Sequence, residues 1–452
     1  MPVRTLLQIL AAPMLAILLP MKAWAGDGGG GGHEIIHSIA LTMVAASLMG
    51  VAMKLLRQPL ILGYILAGVL IGPVGLGLIE SQTEILTVAE IGLILLLFMI
   101  GLEINLKRML SSGRLVLLTG VSQFPLSVLA GWAFFSGLGL IGWGPGRGYA
   151  ALYAALAIGI SSTMVVVKLL YDKMELDTLP GRITLGILVF QDIWAIIVLA
   201  LQPNFFDPQV GGILSTFASG FFLVAAALLI SRFVLPLVFH LASKLPELML
   251  VISMGWCFLV SLVAAHPWVG LSMEMGALIA GVSLATFPYN LDVIAKVISI
   301  RDFFITLFFV ALGMQIPLPE WPVLLVTLSL TVGLILSRFL GVFGVLHVLR
   351  SGHRISLLAS INLMQISEFS LVILSLGVSF GHTDATTLTP VLWAFSLMAV
   401  ASTYLIGGSH AIQGRLGAVL TRLGFKDVGG DGAETESRWS HTGDGPPRSP
   451  TP

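Results

Sequence analysis

Charge is what this chain most lacks. Asp, Glu, Lys and Arg supply only 10% of its 452 residues, while 56% are hydrophobic. An ordinary soluble domain carries roughly 25% charged residues. Together with a mean hydropathy of +0.99, that scarcity excludes a water-soluble globular protein and implies a polytopic helical membrane protein. Cysteine is reduced to Cys257, which excludes an intrachain disulfide and a thiolate metal cluster; it reads as a small buried hydrophobe. The sequence offers no nucleophile–base pair and no cluster with metal-ligand spacing, so neither an enzyme nor a cofactor is expected, and no nucleic-acid partner.

Arg4 precedes the apolar run Leu6 to Leu19, and Ala23-Trp24-Ala25 has the small-x-small form of a processing site. Residues 1–25 therefore read as a signal peptide, with an uncleaved extra helix as the alternative. A glycine-rich leader at 26–34 follows and is expected to be flexible and extracytoplasmic. Thirteen apolar segments come next, each close to the ~20 residues a bilayer demands. They lie at about 35–55, 59–79, 84–104, 113–136, 148–170, 181–201, 212–240, 247–265, 268–288, 301–317, 321–347, 355–380 and 386–408. Lysine and arginine concentrate in every other connection, from Lys54 and Arg57 to Arg415 and Arg422, whereas the alternate loops hold only Arg147. By the positive-inside rule, the mature N-terminus is outside and the C-terminus cytoplasmic. The Gly-, Pro- and Ser-rich end, within a tail spanning 409–452, reads as mostly disordered.

Two short words occur twice and in the same order. GYILAGV (Gly63 to Val69) returns as GALIAGV (Gly276 to Val282), and LFMIGLEI (Leu97 to Ile104) returns as LFFVALGMQI (Leu307 to Ile316). The first copy runs outward and the second inward, so the repeat is inverted, as in transporters with paired inward-open and outward-open states. Shared apolar composition is the alternative. Matching segments five and twelve each place a polar cluster near mid-span: Ser161, Ser162 and Thr163 in one, Gln365, Ser367 and Glu368 in the other. Such hydroxyls tolerate an unwound stretch that lines a cavity. Asp192 sits mid-span in GRITLGILVFQDIWAIIVLAL, where ionising a carboxylate costs at least ~2.5 kcal/mol and marks an ion or proton pathway. Arg338 and Glu368 are its candidate partners at similar depth.

These residues resemble the monovalent cation:proton antiporters of the Kef type. The matching stretches are QPLILGYILAGVLIGPVGLGLI, AEIGLILLLFMIGLEINLKRM, ISSTMVVVKLL, LVFQDIWAI, VGLSMEMGALIAGV and LFFVALGMQI, between Gln58 and His410. The resemblance implies that Asp192, preceded by Gln191, binds a proton or a monovalent cation. Ser161, Ser162 and Thr163 would lie on one unwound stretch, and Gln365, Ser367 and Glu368 on the other. Gln123 is a further candidate, and Arg338 stands where the family has a charge-compensating lysine, on the helix ends or paired with the aspartate. An arginine there cannot readily release a proton. Nothing in the sequence resembles the family's nucleotide-binding regulatory domain with its strand-led GxGxxG, so gating through this chain is not expected, and a separate regulatory subunit stays open as a partner.

The resemblance also implies an all-α architecture of about 13 transmembrane helices, with inverted five-helix repeats and two broken crossing helices, over 35–408. A dimerising scaffold would span about 35–104 and 247–317, a moving core about 113–201 and 321–408, with a linker helix at 212–240. The implied partners are potassium or sodium, the proton, membrane lipid and a second copy of the chain, in the bacterial inner membrane. The implied mechanism is electroneutral exchange by an elevator cycle, with potassium favoured. A pH-gated channel and a transport-inactive sensor are the rival readings.

Overall fold

Apolar runs with helix-forming composition become helices almost everywhere in the computed structural model, which describes residues 31–56, 58–79, 83–103, 113–140, 142–146, 148–205, 210–242, 246–285, 290–317 and 320–423. In chain order they are α1 (Gly31–Leu55), α2 (Leu60–Ile71), α3 (Thr83–Glu103), α4 (Gly113–Leu140), α5 (Tyr149–Gly159), α6 (Thr163–Asp172), α7 (Leu179–Leu201), α8 (Val210–Phe233) and α9 (Leu235–Ala242). They continue as α10 (Pro246–Ala264), α11 (Met273–Ala285), α12 (Asn290–Met314), α13 (Trp321–Val348), α14 (His353–Asn362), α15 (Glu368–Ser379), α16 (Ala385–Gly407) and α17 (Ser409–Arg422). Among the described residues, eight helical spans are long and apolar enough to cross a bilayer, and five shorter apolar helices accompany them.

Several boundaries differ from the sequence expectation, each for a local reason. The helix of segment two covers only Leu60–Ile71, because Gly72-Pro73 diverts the chain into a turn that closes with Gly77 at φ +58°. The twelfth segment is interrupted between Asn362 and Glu368. Segment seven divides at Val234, just before Pro236, whose ring cannot sit in a continuing helix. α1 starts at Gly31, inside the stretch expected to be a flexible leader. Ser409–Arg422, assigned to a mostly disordered tail, is helical; its Leu420 packs on Phe343 and Leu357. The expected signal peptide at 1–25 and the tail beyond 423 lie outside the described residues.

The chain divides into two compact units, 1–106 with 198–320, and 107–197 with 321–452. In the first, helices meet backbone to backbone through paired glycines. A Cβ on Gly68 of α2 would fall 2.8 Å from Gly313 Cα of α12, and one on Gly313 would fall 3.1 Å from Gly68 Cα. Gly101 of α3 and Gly281 of α11 exclude each other in the same way, at 2.8 and 2.9 Å. Gly68 and Gly281 hold the same place in the first repeated word, and Gly101 and Gly313 are each fourth from the end of the second. The two contacts are therefore one contact made twice with the copies exchanged, as an internal twofold requires. α3 and α12 touch each other at Gly92 and the Phe304 carbonyl, nine residues before Gly101 and Gly313 respectively.

In the second unit, α4 lies close to α7 and to α13. A Cβ on Gly120 would enter the Phe190 ring, and one on Gly341 would enter the space of Ser127 Oγ. Phe124 stacks on Trp194 at 5.5 Å between ring centres. This packing fixes the helices that surround the polar cluster.

Candidate functional site

Two broken helices of the second unit cross at their breaks. α5 ends at Gly159, and the chain runs extended through Ile160 and Ser162 before α6 begins at Thr163. Ser162 caps α6 by accepting from the Val165 amide at 3.4 Å. In the other pair, α14 ends at Asn362 and Ser367 caps α15, accepting from the Phe369 amide at 3.1 Å. Short hydroxyl side chains at both caps supply acceptors for amides that a continuous helix would satisfy internally. The Ser367 amide donates to the Ile160 carbonyl at 3.0 Å, joining the breaks through the main chain. Ser161 Oγ donates to the Leu363 carbonyl at 2.9 Å, and Ser370 Oγ to the Ala157 carbonyl at 2.7 Å.

Arg338 is fully buried beside this crossing. It ends the regular part of α13, ahead of a π-helical turn at Phe339–Gly344. Its Nη1 donates to the Gly159 carbonyl and its Nε to the Leu363 carbonyl, both at 2.9 Å. The guanidinium thus caps the carbonyl ends of α5 and α14, where each helix carries roughly half a negative charge. Among the described residues, Arg338 forms no ion pair. Of the two roles open to it from sequence, the geometry places it on the helix ends.

Asp192, on α7, is half-buried. Thr163 Oγ1, at the first residue of α6, donates to Asp192 Oδ2 at 3.4 Å. The carboxylate therefore stands at the amide end of a half-helix, where negative charge is favoured. Glu368, buried, opens α15 in the equivalent way. Gln365 Nε2 reaches the Asn362 carbonyl at 3.5 Å, and its Oε1 has no hydrogen-bond donor among the described residues.

Gln191 turns away from the Asp192 carboxylate, into the protein. Its Oε1 accepts from the Ser161 amide at 2.8 Å, and its Nε2 donates to Gln123 Oε1 at 2.7 Å. Gln123 Nε2 donates in turn to Ser127 Oγ at 2.9 Å. Sequence reasoning passed over Ser127, Ser370, Asn362 and Thr184; Asn362 Nδ2 donates to Thr184 Oγ1 at 3.4 Å. Lone polar residues in apolar helices were the only signal for them. The structure brings Ser161, Gln191 and Gln123 into one hydrogen-bonded group, sets Thr163 on Asp192, and gives Ser162 and Ser367 to the caps.

The transmembrane sodium/hydrogen exchanger pattern matches residues 40–411. K(+) efflux antiporter 5 of Arabidopsis thaliana is 31% identical over 76% of this chain and 61% of its own length. A glutathione-regulated potassium-efflux system protein KefC, from Cronobacter sakazakii, is 31% identical over 86% of this chain and likewise 61% of its own. The chain thus spans about three-fifths of these two relatives. The iron transporter MagA of Paramagnetospirillum magneticum is 30% identical over 86% of this chain and 91% of that protein. In structure, the sodium proton antiporter of Methanocaldococcus jannaschii solved at pH 8 aligns over 84% of this chain and 99% of its own, with a TM-score of 0.61 at 17% identity. That likeness is one of fold.

Proposed function

The chain belongs to the sodium/hydrogen exchanger family, and we propose that it exchanges a monovalent cation for protons at Asp192. The observation that carries this reading is the division of charge at the crossed breaks. Arg338 is spent on two backbone carbonyl ends, while Asp192 stands at the amide end of α6 beside the Thr163 hydroxyl. A half-buried carboxylate so placed can exchange one monovalent ligand for another. One carboxylate can hold a proton or a cation but not both, so the two ligands compete for the same oxygens. Thr163 and the main-chain oxygens of the breaks offer the hard oxygen ligands that an alkali cation takes.

Potassium is the favoured cation, because the residue before Asp192 is an amide and two of the relatives carry potassium efflux in their names. In an elevator cycle the unit of 107–197 and 321–452 would change sides with Asp192, and the unit of 1–106 and 198–320 would stay as the dimerising scaffold. The setting is a bacterial inner membrane, with the mature N-terminus outside and the C-terminus cytoplasmic.

Exchange in proteoliposomes tests the reading. A proton gradient is imposed, and potassium, sodium, rubidium and lithium are offered in turn. Saturable cation-dependent proton flux is expected from the wild type. Asp192→Asn, which keeps size and polarity but cannot alternate between charged and neutral forms, should insert normally and fall to background. Near-wild-type exchange by that variant would end the proposal.

A further inference from the structure

A single chain of hydrogen bonds runs from the break between α5 and α6 to the residue preceding Arg338. It begins at the Ser161 amide and passes through Gln191 and Gln123 to Ser127 Oγ, which donates to the Ser337 carbonyl at 3.2 Å. A backbone N–H can only donate and a carbonyl can only accept, so the two ends dictate every orientation between them. Gln191 must turn its oxygen to Ser161 and its amino group to Gln123. Gln123 must do the same toward Ser127, whose one proton goes to Ser337.

The members have no freedom to do anything else. Gln191, Gln123 and Ser127 expose no surface, and Ser337 exposes 1%. Gly120 and Gly341 let α4 approach Phe190 on one side and the π-helical turn on the other so closely that a Cβ at either position would collide. None of the four residues titrates, so the chain neither stores nor passes a proton.

We infer that Ser127, Gln123 and Gln191 form a positioning relay, which sets the Ser161 peptide, and with it the α6 terminus facing Asp192, against the turn that carries Arg338. Gln191 and Gln123 then serve the cation site through the backbone and do not ligate the ion. This rests on the exchange reading above, because the effect on transport is meaningful only if Asp192 binds the cation.

Ser127 is the member to test, since it lies farthest along the chain from the site. Ser127→Ala removes an acceptor from Gln123 and a donor from Ser337 together. Ser127→Cys keeps the shape with a somewhat larger atom but supplies a poor donor and acceptor. In proteoliposomes the cation KM should rise by about fivefold to tenfold in Ser127→Ala, the scale of one lost buried hydrogen bond. The pH midpoint of exchange should move, saturated turnover should stay near wild type, and Ser127→Cys should fall between. Hydrogen exchange at the Ser161 amide, measured on purified protein, should quicken in the same order. Should Ser127→Ala fail to fold, the cysteine variant alone carries both readouts. Wild-type KM and wild-type protection at Ser161 would overturn the relay, as would a loss of turnover with KM unchanged. If wild-type protein moved no cation at all, the exchange reading would fall, and the Ser161 measurement would still judge the relay.

Discussion

Arg338 holds two carbonyl oxygens that belong to different broken helices, so removing it would strip both helix ends at once. Hydrogen bonds to a charged group are worth about 1.5–3 kcal/mol each. Arg338→Ala should therefore destabilise the protein by about 3–6 kcal/mol, read as a large fall in thermal unfolding temperature in detergent. Arg338→Lys should lose less, because an ammonium keeps the charge but cannot reach both oxygens with a planar fork. Equal stability of Arg338→Ala and wild type would refute the capping role. A buried cation at mid-span was legible in the sequence, with the helix ends and Asp192 as its two candidate partners, yet the individual oxygens it binds were not. The carbonyl ends exist as acceptors only once the breaks have been placed, and a string of letters does not show which oxygens a break releases. The partners of the amides were hidden for a related reason. Gln191 adjoins the aspartate in sequence, but neighbours along a helix point about 100° apart, and its side chain goes to Ser161 instead.

At the scale of elements, α17 shows how a docking contact can hide in a polar stretch. Composition at 409–422 gives no apolar run, so only the Leu420 contact with Phe343 and Leu357 and a cluster at its first turn reveal the attachment. There Lys173 Nζ donates to the Ile406 carbonyl at 3.0 Å and to Ser409 Oγ at 2.9 Å, and pairs with Glu175 at 3.0 Å. His410 Nε2 also meets Glu175, at 2.8 Å. Partial burial pushes the Glu175 carboxyl up, but the hydrogen bonds and charges of His410 and Lys173 outweigh it and hold the group below its ordinary value of 4.5. A folded-state value that is depressed gives stability above the unfolded value, lost as pH falls through the folded one. Attachment of α17 should hold from neutral pH down to that ordinary value and loosen only below it. Glu175→Gln should loosen it already at neutral pH. Hydrogen exchange over Ser409–Arg422 measures both, and protection unchanged in the variant would count against the cluster.

For the whole molecule, the division of charge bears on stoichiometry. Arg338 binds the helix ends and forms no ion pair among the described residues, so in the proposed exchange one proton and one monovalent cation would leave the site with the same net charge. Exchange should be one-for-one, and its rate should not respond to an imposed membrane potential of either sign. A cycle that carried one net charge would feel ~2.3 kcal/mol per 100 mV, so flux that scales with potential would sink this. The repeated words that point to a transporter were visible in the sequence at once. Which glycine meets which was not, because likeness between two segments says that they are equivalent and does not say that each packs on the other's companion.

That crossed pairing governs when the first unit can assemble. Gly68 and Gly101 leave the ribosome long before Gly313 and Gly281, so α2 and α3 enter the membrane with their notches unfilled. The intervening stretch that builds α4 to α7 must be inserted and set aside first. Contacts so distant in sequence close slowly, and the unit completes only after Met314 has been made. Until then, the main chain at Gly68 and Gly101 is without the glycine it meets in the finished protein.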